Sequence, residues 1–245
     1  QAGAGLQETA GQDIWHTGQT LVRGDLHLQS GGSQSFGFST SRAQTSAPAG
    51  IVATGQIVST AGSHIQVAGQ LLANGSITLT AGQPGAPAAG SADIRIGSHL
   101  ASLDDVKLHA TGSIDLLGNA QMANGHFTAD TGSLRVDGDL EAQNKVQLKA
   151  HQDIDLGGQT FVRSDLTALS ETGSIQFADR LQVGGNTTLH AHQDLDLAGP
   201  TLLLGHAHMR ATTGSLNNHG PLQVGQTLVV DNTAHFNNQS TIQSV

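Results

Sequence analysis

The sequence predicts an all-β solenoid, a parallel β-helix of roughly twenty-residue coils with three short strands in each. Three observations lead there. First, a phrase returns about every twenty residues: Thr111-Gly112-Ser113-Ile114, Thr131-Gly132-Ser133-Leu134, His151-Gln152-Asp153-Ile154, Thr172-Gly173-Ser174-Ile175, His192-Gln193-Asp194-Leu195 and Thr213-Gly214-Ser215-Leu216. Second, the residues after each phrase alternate apolar and polar, the period of a strand, and no helical i, i+3, i+4, i+7 stripe is present. Third, the chain of 245 residues holds 32 Gly but only one Trp, six Phe and no Tyr. Compact cores rely on aromatic volume, whereas stacked coils fill theirs with ladders of Val, Ile, Leu and Ala.

The first inward segment of each coil is Ile114/Leu116, then Leu134/Val136, Ile154/Leu156, Ile175/Phe177 and Leu195/Leu197. A second follows a Gly or polar break: Met122, Leu140/Ala142, Phe161, Leu181/Val183, Leu202/Leu204 and Leu222/Val224. A third follows a turn: Phe127/Ala129, Val146/Leu148, Leu166, Leu189/Ala191, Met209/Ala211 and Leu228/Val230. From Ile114 to Leu216 the repeat spacing is 20, 20, 21, 20 and 21 residues, and single-residue insertions fit at corners rather than inside strands. Eleven or so coils at the inter-strand spacing make a rod of about 50–55 Å. Residues 1–245 read as one shaft segment with two breaks in period. Residues 31–50 carry Phe36, Phe38 and Pro48 with poor alternation, and residues 81–90, AGQPGAPAAG, add about ten residues between regular coils. Such bulges either form binding loops or are tolerated insertions.

Composition narrows the function classes. A net charge of −9 with ten Lys and Arg argues against nucleic acid, sulfated polyanions and anionic membranes, all of which need basic patches. The absence of cysteine excludes disulfide staples and zinc–thiolate sites. No stretch approaches the roughly 18–20 apolar residues of a membrane helix, and residues 1–9 lack the features of a signal peptide. The repeat runs to both ends, so the chain reads as an interior piece of a longer repetitive protein.

The Thr-Gly-Ser-Ile starts, Gln-Asp-Ile-Asp-Leu strands and Ala-Gly or Ala-His corners resemble the central repeats of filamentous haemagglutinin. That adhesin family is exported by two-partner secretion in Gram-negative bacteria, and contact-dependent inhibition exoproteins share the repeat style. The resemblance covers nearly the whole chain and is weakest at 31–50 and 81–90. It implies a right-handed β-helical filament, secreted or at the bacterial cell surface, that presents sites for host-cell glycans and integrins. The family's secretion domain carries Asn-Pro-Asn motifs, which this chain lacks. The resemblance therefore implies export by an outer-membrane transporter partner through a domain absent here.

Arg23-Gly24-Asp25 is the sharpest candidate site. The family resembled carries such a tripeptide, an integrin-recognition motif. Alignment with Leu71-Leu72-Ala73-Asn74-Gly75-Ser76-Ile77 and Met122-Ala123-Asn124-Gly125-His126-Phe127 places it where other coils have Asn-Gly, a turn signature. There, Arg23 would offer a cation, Gly24 the tight corner, and Asp25 a carboxylate for an integrin-bound metal ion. The competing reading is a solvated Arg-x-Asp ion pair, since Phe161-Val162-Arg163-Ser164-Asp165-Leu166 repeats the pattern with Ser for Gly.

Other candidates are weaker. Among 13 histidines, the pairs His190/His192 and His206/His208 have a spacing that places each pair on one strand face. His151 and His192 start coils two apart, too far to share a metal. No metal and no cofactor are expected. Asp153/Asp155 and Asp194/Asp196 have the look of a glycosidase pair, but they flank inward Ile or Leu and face solvent. No phosphate loop, nucleophile elbow or HExxH motif is present, so the chain is not expected to be an enzyme. Asn217, Asn218, Asn237 and Asn238 are expected to stack as corner ladders. Neutral sugars would meet Asn, Gln, Asp and His on a flat β-face or at 81–90, with no residue singled out. Two function classes remain: an attachment segment using glycans, integrins or both, and a passive spacer of a secreted filament. A polysaccharide-active enzyme is a distant third.

Overall fold

The computed structural model describes residues 5–37, 50–82, 91–232 and 234–244. Its strands form three parallel sheets of eleven strands each. One coil comprises Val106–Ala110 in the first sheet, Ile114–Leu116 in the second and Ala120–Met122 in the third. The chain then turns a third corner and starts the next coil directly above. Every strand thus pairs with its equivalents one coil away, as with Ile114↔Leu134 and Leu134↔Ile154.

Alternation along each strand sets which side chains enter the core. Val106, Leu108 and Ala110 are buried while Lys107 is exposed. In-register stacking then aligns like with like. Ile114, Leu134, Ile154, Ile175 and Leu195 form one column, each 0 % exposed. Burying such side chains stabilises by about 1.5–3 kcal/mol each before the entropy of ordering them. The three inward faces close on a single core cluster running the length of the stack.

Four sequence expectations need correction. The pair Leu202/Leu204 is not inward: Thr201 and Leu203 are buried, Leu202 is half-buried and Leu204 is 43 % exposed. The register Leu181↔Thr201 and Val183↔Leu203 decides this, so a threonine occupies an apolar column. For the same reason Phe161 points outward between Glu141 and Gln182, with Thr160 and Val162 inward. The 31–50 stretch is not irregular throughout. Gln34–Phe36 is a strand of the second sheet with all three residues buried, and the buried Gln34 side chain bonds Ser59 Oγ and the Thr60 carbonyl. Residues 38–49 of that stretch and 83–90 of the second lie outside the described residues. Finally, Gly125 is not a turn residue. It opens the strand Gly125–Ala129, in register with Val106 and Val146, and Met122 Sδ occupies the space that a Cβ at 125 would take.

The corners explain the repeated phrase. Asp93, Asp153 and Asp194 each end a corner, and each Oδ1 accepts the backbone N–H of the serine one coil above: Ser113 at 2.8 Å, Ser174 at 2.8 Å and Ser215 at 2.7 Å. The residue before each serine is Gly112, Gly173 or Gly214, where a Cβ would overlap the aspartate oxygen. Asp13 with Gly32-Ser33 repeats the arrangement. Where the lower residue is Ser133 or Ser174, the contact relaxes to 3.3 or 3.2 Å and the coil above carries Gln152 or Gln193 in place of glycine. Gly32-Ser33, Gly112-Ser113, Gly173-Ser174 and Gly214-Ser215 thus each stand over an aspartate, whereas Gly132-Ser133 stands over Ser113, whose Oγ accepts Ser133 N–H at 3.2 Å.

The close approach of glycine to aspartate predicts a cost. Gly173→Ala should destabilise the chain by about 1–3 kcal/mol through overpacking, because a Cβ there would overlap both Asp153 Oδ1 and the backbone of Gln152. The thermal midpoint of the variant beside the parent checks this, and an unchanged midpoint would contradict it.

Candidate functional site

Arg23-Gly24-Asp25 forms the corner between Gln19–Val22 of the third sheet and Leu26–Ser30 of the first. Arg23 and Asp25 are exposed and Gly24 is half-buried. Val22 and Leu26, on either side, are anchored in the core at 3 % and 0 % exposure. Gly24 has φ 120°, a conformation that suits glycine and strains other residues. Its N–H donates to Thr54 Oγ1 at 2.8 Å, and its carbonyl accepts from Gly55 N–H at 2.9 Å. The corner is thus held from the coil above on both sides of the glycine.

Asp25 follows the corner rule. Its Oδ1 accepts Gln56 N–H at 3.0 Å, and Gly55 lies where a Cβ would strike that oxygen. Asp165 does the same with Asn186 N–H at 2.8 Å beneath Gly185, and Asp139 with Gln159 N–H at 2.9 Å beneath Gly158. The Asp25 carboxylate therefore has a structural duty that its tripeptide context does not reveal. The ion-pair reading fails in its own terms: among the described residues, neither Arg23–Asp25 nor Arg163–Asp165 is within 4.0 Å. The corner alignment with Asn74-Gly75 holds, since Gly55 N–H reaches the Gly24 carbonyl and Gly75 N–H reaches the Gly55 carbonyl. The alignment with Asn124-Gly125 does not, for the register reason given above.

The remaining candidates are dispersed by the coil geometry. His190 and His208 lie on first-sheet strands, but His192 and His206 sit at corners, so neither pair shares a strand face. His190 bonds Thr212 Oγ1 at 3.0 Å. Among the described residues no group of three or more His, Cys, Asp or Glu is arranged to hold a metal ion. Asp153 and Asp194 are corner residues committed to the serine N–H groups, while Asp155 and Asp196 are mid-strand and half-buried. They do not converge as a carboxylate pair on one strand face. The asparagines do form ladders, but within strands of the second sheet rather than at corners. Asn237 Nδ2 donates to Asn217 Oδ1 at 2.8 Å, and Asn218 Nδ2 donates to Asn238 Oδ1 at 2.7 Å.

Two surface networks link residues about twenty apart in the sequence. The outward column of the second sheet runs Arg95, Asp115, Arg135, Asp155 in register, so charges alternate along the rod axis. At the corner after the first sheet, Glu171 bridges Lys149 at 2.7 Å and His151 at 3.1 Å. Both become visible only when the sequence is wrapped at its true coil length.

No family model matches this sequence, and neither a curated protein nor a solved structure matches it. The fold alone defines the class of protein: a three-sided parallel β-solenoid of about eleven turns whose corner polar groups serve coil-to-coil ladders.

Two titrations follow from the surface networks. Partial burial, reinforced by nearby Asp153, holds the Asp155 carboxyl above its ordinary pKa, and Arg135 opposes the shift. Its charged form is disfavoured in the folded chain, so the penalty is present at neutral pH and fades as pH falls through the folded pKa. Arg135→Met should raise it further, read by carboxyl-carbon NMR. Glu171 shifts the other way, lowered by hydrogen bonds from Lys149 and His151. Its contribution is present above the unfolded pKa of about 4.3 and is lost below the folded one, and Lys149→Met should move its titration back up.

Proposed function

We propose that this chain is a surface-exposed segment of a secreted bacterial adhesin of the filamentous haemagglutinin type, attaching the cell to host surfaces through glycans, an integrin-recognition corner, or both. One observation carries the integrin half: Arg23 and Asp25 stand exposed on either side of a glycine whose backbone is fixed by two bonds from the coil above. A pre-set corner loses little conformational freedom on binding. Oδ1 of Asp25 is occupied by Gln56 N–H, so a metal ion on the partner would be met by the other carboxylate oxygen. Such hard cations take oxygen ligands.

A second reading, the passive spacer, also has a specific observation behind it. Asp165 performs the same ladder duty in an Arg-x-Asp corner with no glycine, so the aspartate at 25 is accounted for by folding alone. The two readings separate on Asp25→Asn. An asparagine oxygen retains the acceptor for Gln56 N–H, as Asn186 does for His206 N–H at 3.1 Å, but removes the charge. Attachment of integrin-bearing cells to immobilised chain should fall to background for Asp25→Asn and stay at the parent level for Asp165→Asn. Circular dichroism should be the same for all three, and the thermal midpoints of Asp25→Asn and Asp165→Asn should fall by the same small amount, since both aspartates hold the same corner bond. Parent-level attachment by Asp25→Asn, or none by the parent, would favour the spacer.

A further inference from the structure

The corner between the third sheet and the first is three residues long in nine of its ten occurrences among the described residues, and two residues long once, at Ala123-Asn124. The missing residue opens a notch in an otherwise continuous edge of the rod. A cleft of about 210 Å³ lies there, floored by Val106 and Gly125 and walled by Asp105, Lys107, His126 and Lys145. The corner rule also lapses at this point. Asp105 takes a side-chain donor, Asn124 Nδ2 at 2.7 Å, where Asp25 and Asp165 at the equivalent corner position take a backbone N–H. Asn124 Oδ1 accepts Lys145 N–H at 3.3 Å, and His126 Nδ1 meets Gln147 Oε1 at 3.0 Å. The walls are thus held in place across three coils.

The charge of the notch differs from that of the chain. The protein carries a net −9, yet Lys107 and Lys145 are both exposed here, and among the described residues neither has a carboxylate within 4.0 Å. Two unpaired ammonium groups on a rigid strand and corner suit an anion. A single carboxylate, Asp105, sits among them. It would repel a polysulfate but accept hydrogen bonds from hydroxyls, and His126 offers a further polar contact. The volume lies below the roughly 300 Å³ at which drug-sized sites begin, which suits one ring rather than an extended chain.

We propose that this notch binds the carboxylate-bearing ring of an acidic sugar at the end of a host glycan. Lys107 and Lys145 hold the carboxylate, and Asp105 and His126 meet the ring hydroxyls. This rests on the glycan half of the attachment reading and is independent of the Arg-Gly-Asp corner.

The test uses the full chain and four probes: a sialylated trisaccharide, a disaccharide ending in a uronic acid, lactose and inorganic sulfate. Amide NMR titration should show shifts confined to Asn124–Phe127 and Lys145–Gln147 with one or both carboxylated sugars, and at least tenfold weaker binding of lactose. Which of the two binds identifies the source of the carboxylate. The variant Lys107→Gln/Lys145→Gln should lose at least tenfold in affinity with an unchanged thermal midpoint, since both side chains are exposed. No shift at the notch with either acidic sugar, equal affinity in the double variant, or equal binding of sulfate alone would each overturn the proposal. Integrin-dependent attachment alongside a silent notch would sink this inference alone, and loss of both would sink the attachment reading with it.

Discussion

One hydrogen bond recurs at seven corners of the rod, from a backbone N–H to the carboxylate of the aspartate one coil below. Corners are where a parallel stack is most exposed to failure, because backbone groups leave the sheet ladder there and must find partners. An aspartate supplies an ionised acceptor, and bonds to charged groups are worth about 1.5–3 kcal/mol. The glycine above it lets the backbones approach closely enough for the bond to form. Serine supplies the same service at a longer distance.

This bond bears directly on how a short motif is read. Arg23-Gly24-Asp25 looks like a recognition element as letters, and it stands exposed at a turn. Its aspartate nonetheless fits the same mould as Asp139 and Asp165. Structure and recognition can share the residue because the two carboxylate oxygens are separable: one is held from above by Gln56 N–H, and the other has no hydrogen bond among the described residues.

Much of the architecture was legible from periodicity. Three inward segments per coil, the coil length and the corner position of the tripeptide all follow from spacing and alternation. The failures share a cause. Hydrophobicity alone points Leu202/Leu204 and Phe161 inward, but in a stack the neighbours' register decides, and it places threonines inward instead. The shortened corner was hidden for a related reason. The step from Ile114 to Leu134 is a regular 20 residues. It nonetheless contains a two-residue corner at Ala123-Asn124 and a four-residue corner at 130–133, whose departures cancel in the count. The Asp–Gly-Ser pairing was present in the sequence from the start, but it links residues about twenty apart and emerges only when coils are laid one above another.

The aspartate ladder also has a direction. In every corner pair the acceptor belongs to the earlier coil and the donor to the later one. Backbone bonds run both ways between coils, as from Ile114 N–H to the Ser133 carbonyl and from Gly112 N–H to the Ala92 carbonyl. The carboxylates alone give the rod a chemical polarity: each coil that carries one turns it toward the coil that follows, and the two faces of such a coil are not equivalent.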